Sequence, residues 1–229
     1  MRHTVRALVV LALVLGAAPA RAQNPGLPVY NFGVARGIAV YGDLAFPNDA
    51  GGGGTAYGAS VRAGFGRVGA TATLSALSPD GPAGSDVAIG GTINYRLLGG
   101  PLVPLTVTLQ GGVGYAKPGD GGIVLPGGSG SSAEPSLYRF PIGIGFALVI
   151  PNPALSIHPW LAPRVDIGYI TAGGLSDTET NFGLSGGLEL NLLNGFGVHA
   201  AYDRVFAKNV ADPATFGLGL HYAFRVPGL

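Results

Sequence analysis

The feature that most restricts this chain is a two-residue alternation, clearest in its last stretch, TFGLGLHYAFRVPGL. Phe216, Leu218, Leu220, Tyr222, Phe224 and Val226 are large and apolar, and between them stand Gly217, Gly219, His221, Ala223 and Arg225. Successive side chains of a strand point to opposite faces, so this pattern predicts an extended strand with one bulky and one small or charged face. A soluble sandwich would bury the bulky face, whereas a barrel in hydrocarbon would turn it outward. Ten segments carry the same pattern, at about 33–46, 56–65, 68–77, 87–97, 105–116, 137–149, 156–170, 181–192, 196–206 and 215–226. In VAIGGTINYRL, for example, Val87, Ile89, Ile93, Tyr95 and Leu97 oppose Ala88, Gly90, Thr92, Asn94 and Arg96.

Composition decides between the two solvents. Only 11% of residues are charged, against roughly 25% in ordinary soluble domains. Glycine supplies 41 of 229 positions, where about 7% is usual. Mean hydropathy is +0.40, yet beyond the first residues no long uninterrupted apolar run occurs. Only helices and closed barrels satisfy every backbone group in lipid, so a hydrophobic chain without spanning helices points to a closed barrel. The many Val, Leu, Ile and aromatic residues exclude a disordered or collagen-like chain. Cysteine is absent, which removes disulfides, thiol chemistry and thiolate metal sites.

The start, MRHTVRALVVLALVLGAAPARAQ, combines Arg2 and Arg6, an apolar run from Ala7 to Ala18 and an Ala20-Arg21-Ala22 site. This predicts a cleaved secretory signal peptide at 1–22, too short to be a spanning anchor of ~20 apolar residues. Residues 23–229 then form a single barrel domain. Of 13 basic and 12 acidic residues the leader takes Arg2, Arg6 and Arg21, leaving a formal charge of −2 and nothing that favours nucleic acid.

Connections between the ten segments alternate between short and long, the asymmetry of outer-membrane barrels. An even strand count places both termini at the short-turn, periplasmic end. Gly66-Arg67 reads as a two-residue hairpin turn, and Leu193-Asn194-Gly195 as a three-residue turn with glycine at the left-handed position. The stretch 117–136, rich in Gly, Ser and Pro, is the longest loop. Outward-phase aromatics fall in two bands. Phe46, Tyr57, Tyr115, Tyr138, Tyr169, Phe182, Phe206 and Phe216 lie toward the long loops; Phe65, Tyr95, Phe196, Tyr222 and Phe224 lie toward the short turns. Such bands predict interfacial girdles. Pro141, Pro159 and Pro163 interrupt two segments and predict bulges or a later strand start, with eight strands as the alternative count.

Over essentially the whole mature region the chain resembles the small outer-membrane β-barrels of bacteria, the OmpA/OmpX-like class. Its end resembles the C-terminal signal of that class, polar-x-Gly-x-x-aromatic-x-aromatic, through Gly219, Tyr222 and Phe224; Gly217 stands at the polar position and RVPGL follows the final aromatic. The resemblance implies an all-β, closed antiparallel up-and-down transmembrane barrel in the bacterial outer membrane. It also implies outer-membrane lipid, lipopolysaccharide and the barrel-assembly machinery as partners, and a monomer.

The small-residue face holds Asp43, Arg62, Arg96, Arg139, Arg164, Asp166, Glu189, His199, Asp203, His221 and Arg225. With bulky residues toward lipid, these groups are expected to line the lumen as an ion-pair network, with Glu189 opposite His199 and Arg164 near Glu189. A water-containing but constricted interior follows. No catalytic, cofactor or metal site is predicted. The Asp-x-His and His-x-Ser pairs of outer-membrane proteases and deacylases are missing, no glycine repeat opens a helix after a strand, and Ser85-Asp86, Ser176-Asp177 and Glu179 read as loop residues. The expected role is structural or surface-interacting, with a small passive porin as the alternative and a lipid-modifying enzyme or protease a distant third.

Overall fold

The computed structural model describes residues 26–35, 37–80, 84–100, 103–117, 135–152, 155–172, 175–208 and 210–224. Residues 1–22, expected to be a signal peptide, most of the longest loop and Arg225 lie outside them. The strands are β1 (Gly37–Pro47), β2 (Thr55–Phe65), β3 (Val68–Ser78), β4 (Asp86–Gly100), β5 (Val103–Lys117), β6 (Ser136–Leu148), the two-residue β7 (Ile150–Pro151), β8 (Leu155–Ala172), β9 (Leu175–Leu192), β10 (Phe196–Phe206) and β11 (Ala214–Phe224). Each pairs antiparallel with its neighbours, β1 pairs with β11, and β6 pairs directly with β8. The wall is therefore a closed ten-strand barrel, with β7 a short flap on β8. The eight-strand alternative is set aside.

The alternation sets the faces. In β1 the burial strictly alternates, with Ile38, Val40, Leu44 and Phe46 outside and Ala39, Tyr41, Asp43 and Ala45 inside. The outer wall is apolar on every barrel strand, reaching 70% exposure at Phe65. The described residues contain no helix long and apolar enough to cross a membrane. Rings of the two expected bands touch across strands. Tyr115, Tyr138 and Tyr169 form one chain, at 5.1 and 6.3 Å between centroids, and Phe196 meets Tyr222 at 4.7 Å.

Two turns have the chemistry expected of them. Phe65 pairs with Val68 around Gly66-Arg67, where Gly66 has φ +59°, and Gly195 closes its three-residue turn at φ +94°. Three expectations are corrected. The prolines introduce no bulge: the β6–β8 register is the same at Pro141↔Asp166 and Ala147↔Trp160, and the ladder only skips a stretch around Pro163, which lacks a donor. The register shift lies instead in β4 between Arg96 and Gly100, opposite residues 103–107 of β5, which include Pro104. Strands β8 and β9 run on to Thr171↔Ser176, so Ser176, Asp177 and Glu179 belong to a projecting hairpin and not to a loop.

The third correction concerns the N-terminal side. The first strand starts at Gly37, and residues 26–35 instead run through the lumen. Leu27 packs with Ala45, Ala56 and Leu77 near the long-loop end, while Ala35 and Val34 lie against Gly64 and Gly69 near the Gly66-Arg67 turn. The strand ends at Gly37 and Phe224 are at the short-turn end as expected, but Gly26 is at the opposite end. Ten extended residues reach at most about 33 Å, enough for an apolar band of about 25 Å.

Inward glycines make the room. A Cβ on Gly58 would come within 2.5 Å of Leu27 Cδ1, one on Gly145 within 2.5 Å of the Asn31 carbonyl oxygen, and one on Gly217 would strike Pro28 and Tyr30. Gly145→Val is therefore expected to lower stability by about 1–3 kcal/mol through overpacking, read as a lower urea midpoint in micelles. Gly66→Asn, at a turn glycine with open space around it, serves as a comparison expected to change much less, because Asn tolerates positive φ.

Candidate functional site

The lumen contains two polar groupings separated by the threaded segment. Toward the long loops, Arg164 Nε donates to Asp166 Oδ2 at 2.8 Å, its second amino group to Asp203 Oδ1 at 2.8 Å, and its first to Ser185 Oγ at 3.3 Å. Arg139 stands 3.4 Å from Asp166. The backbone N–H of Val29 donates to Asp203 Oδ2 at 2.7 Å, which ties the segment into the network. All four charged side chains are buried, and two arginines against two aspartates leave the grouping formally neutral.

Nearer the short turns, His199 Nε2 meets Asp43 Oδ1 at 2.8 Å. Glu189 is approached by His221 at 3.3 Å, His158 at 3.7 Å and the Tyr41 hydroxyl at 3.4 Å. Asn191 holds both histidines, at 2.8 Å from His221 Nε2 and 3.3 Å from His158 Nδ1. The expected Glu189↔His199 register is present across β9 and β10. Arg164 is not beside Glu189, however. It turns toward Asp166 and Asp203, because the residue of β8 paired with Glu189 is His158.

Between these groupings Tyr30 and Phe32 pack on Trp160, at 6.3 and 5.7 Å between ring centroids, and against Ala147, Ala162 and Ala201. Gln110 Nε2 donates to the Tyr30 carbonyl at 2.9 Å. Arg62 lies with its guanidinium carbon 3.9 Å from the Phe32 ring centre and 4.6 Å from that of Tyr41. Below Phe32 the lumen opens into a vestibule of about 700 Å³ that faces the short turns. Arg96 lies at its mouth and donates to the Gly66 carbonyl.

Of the expected lumen residues, Asp43, Arg62, Arg139, Arg164, Asp166, Glu189, His199, Asp203 and His221 are buried in the interior, Arg96 is half-buried at the rim and Arg225 lies outside the described residues. Gly219 has a packing reason of its own, since a Cβ there would run into the His199 ring. Tyr222 and Phe224 are on the outer face, in ring contact at 4.9 Å. Outside the lumen, Arg204 donates to Asp212 at 2.6 and 3.0 Å, and this holds that loop carboxyl below the usual carboxylate range.

Sequence reasoning missed Tyr30, Phe32, Gln110, Trp160 and Asn191. The available signal was the failure of alternation in GLPVYNF, which reads as apolar without a period. Chemically, the histidine–carboxylate pairs stop short of a triad. Among the described residues His199 Nδ1, His221 Nδ1 and His158 Nε2 have no hydrogen-bond partner, where nucleophilic catalysis would set a hydroxyl or thiol.

No protein-family profile matches the chain, and no curated protein matches it. Solved structures do. The β domain of the Bordetella autotransporter BrkA is 14% identical, covering 82% of this chain and 98% of that one, with a TM-score of 0.52. This chain has the fold of the small outer-membrane β-barrels. Ail, the attachment invasion locus protein of Yersinia pestis, is 16% identical over 82% of this chain and 99% of its own, with a TM-score of 0.35. The outer-membrane protease OmpT from Escherichia coli is 10% identical over 82% and 94%, at 0.40.

Proposed function

We propose that this chain is an exported, monomeric outer-membrane barrel, sealed along its axis by its own N-terminal segment and serving a structural or surface-interaction role. The observation that carries the reading is the combination of an apolar outer wall with a lumen occupied by residues 26–35. In this orientation the short turns face the periplasm and the long loops face outward. About 9–11 tilted residues suffice to cross a bilayer, so the 18-residue strands β8 and β9 carry their hairpin beyond the rim. The exposed Asp177 and Thr178 near its tip offer a polar surface to a partner.

Membrane lipid and lipopolysaccharide would contact the apolar wall, where two grooves of about 740 and 560 Å³ meet at the outward Gly42 among Leu190, Val198 and Leu220. Gly219, Tyr222 and Phe224 are the residues through which the assembly machinery would recognise β11. The vestibule, open at one end, favours one second reading: a narrow passive pore that conducts only when the segment leaves.

Spin labels at the neighbouring positions Ile93 and Thr92 test the membrane reading. Ile93 is exposed on the outer wall and Thr92 is buried inside. In vesicles the label at 93 is expected to respond to oxygen dissolved in lipid and the label at 92 to neither oxygen nor a water-soluble nickel quencher. Strong quenching by nickel at 93 would remove the outer-membrane reading.

A further inference from the structure

We propose that the vestibule at the short-turn end is a binding site for a small oxyanion, a carboxylate or phosphate group, held by Arg62. Arg62 is 7% exposed and lines this cavity. Its guanidinium carbon lies 3.9 Å from the Phe32 ring centre and 4.6 Å from that of Tyr41, and because those centres are 6.0 Å apart the rings cover at most one flat face and part of the edge, leaving the remaining edge for a partner. That edge is where its N–H donors lie, in a fork that matches carboxylate and phosphate oxygens.

Among the described residues no carboxylate stands within ion-pair distance of Arg62, and its Nε has no hydrogen-bond acceptor. The other interior arginines have a named partner: Arg164 is hydrogen-bonded to Asp166 and Asp203, Arg139 is ion-paired with Asp166 at 3.4 Å although its Nε and Nη1 also make no hydrogen bond among the described residues, and Arg96 donates to the Gly66 carbonyl. The acids Asp43 and Glu189 are already engaged, Asp43 by His199 and Glu189 by His221, His158 and Tyr41; Arg62 acts on the Glu189 charge only through space, beyond ion-pair distance. A buried cation without an acceptor is costly, and an anion entering from the short-turn end would remove that cost.

The cavity adds two further features. Its volume of about 700 Å³ is in the range of small-molecule sites. Arg62, Arg96, His158 and His221 bring four basic side chains to its lining against Glu189 as the acid. This inference goes beyond the proposed role and does not depend on it, since the site lies inside the barrel and can be assayed in detergent.

Trp160, the single tryptophan of the chain, stands 5.7 Å from the Phe32 ring that covers Arg62 and serves as the reporter. The full chain, refolded in an uncharged detergent, would be titrated with inorganic phosphate and separately with succinate, with sodium chloride at matched ionic strength as the control. A saturable change in Trp160 emission is expected with one of the two, with Kd of ~1 mM or tighter, and the responding anion identifies the phosphate or carboxylate arm. Arg62→Gln should weaken it at least tenfold, while Arg204→Gln on the outer wall should leave it unchanged. If Arg62→Gln does not refold, Arg96→Gln at the mouth should weaken binding several-fold. The proposal is overturned if neither anion gives saturable binding to the wild type by emission or calorimetry. It is also overturned if Arg62→Gln binds as the wild type does or, where that variant does not refold, if Arg96→Gln leaves the affinity unchanged.

Discussion

Deleting residues 26–35 is expected to turn a silent barrel into a conducting one. Ten strands enclose more room than eight, whose side chains just fill the interior, and the inward face here is thinned further by Gly58, Gly64, Gly145 and Gly217 where the segment passes. The wall charges cannot close that space unaided. Arg139, Arg164, Asp166 and Asp203 are drawn to one another within one sector of the wall, from β6 through β8 to β10. On the proposed reading the aromatic contacts of Tyr30 and Phe32 with Trp160 would supply the seal. In planar bilayers the full chain should show no resolved steps, and the deletion should raise conductance on the order of tenfold or more. Replacing Tyr30 and Phe32 together by glycine, with the rest of the segment kept, should give smaller, flickering steps. Equal conductance of the full and deleted chains, whether both closed or both open, would show that the segment is not the seal.

Asp203→Ala should produce the largest loss of stability among single substitutions in the lumen. Its carboxylate accepts from Arg164 at 2.8 Å and from the Val29 N–H at 2.7 Å, in an interior where it is 2% exposed. Removal leaves Arg164 and Arg139 to share Asp166, an excess positive charge in a buried space, and orphans a backbone donor. Breaking a buried pair from one side costs about 3–5 kcal/mol. Unfolding in urea, followed through Trp160 emission and gel mobility, should show that shift. The double substitution Arg164→Met with Asp203→Leu should cost less than Asp203→Ala alone, because no unpaired charge remains. Arg204→Ala, which breaks the exposed pair with Asp212, should leave the midpoint where it is. A midpoint for Asp203→Ala equal to that of Arg204→Ala would mean that the buried network adds nothing to stability.

The barrel wall was legible in the sequence because its information is local. A strand with lipid on one side and lumen on the other must alternate, and a slip of one residue would exchange every side chain between the faces. Strand ends for β2, β3, β5, β6 and β10 therefore fall within two residues of the expected ones, and the Glu189↔His199 pairing follows from counting through a three-residue turn. The β8–β9 hairpin was not legible because residues 171–180 carry no two-residue apolar alternation.

The contents of the lumen were decided by tertiary structure. Which carboxylate Arg164 meets depends on side-chain reach across three strands, and the alternation only says that both point inward. Segment 26–35 has no periodicity to read, since it is enclosed on all sides and forms no ladder of its own. Its place depends on gaps left by glycines as distant in sequence as Gly58, Gly145 and Gly217. By itself, then, the sequence determined a closed barrel, with ten strands expected and eight left open, and with bulky residues outside and charged residues inside, because both faces follow from the two-residue repeat and the solvent on each side. Only the closed structure decided that residues 26–35 fill the lumen and that Arg62 has no ion-paired carboxylate among the described residues, because those outcomes depend on volumes and charges that meet across the barrel.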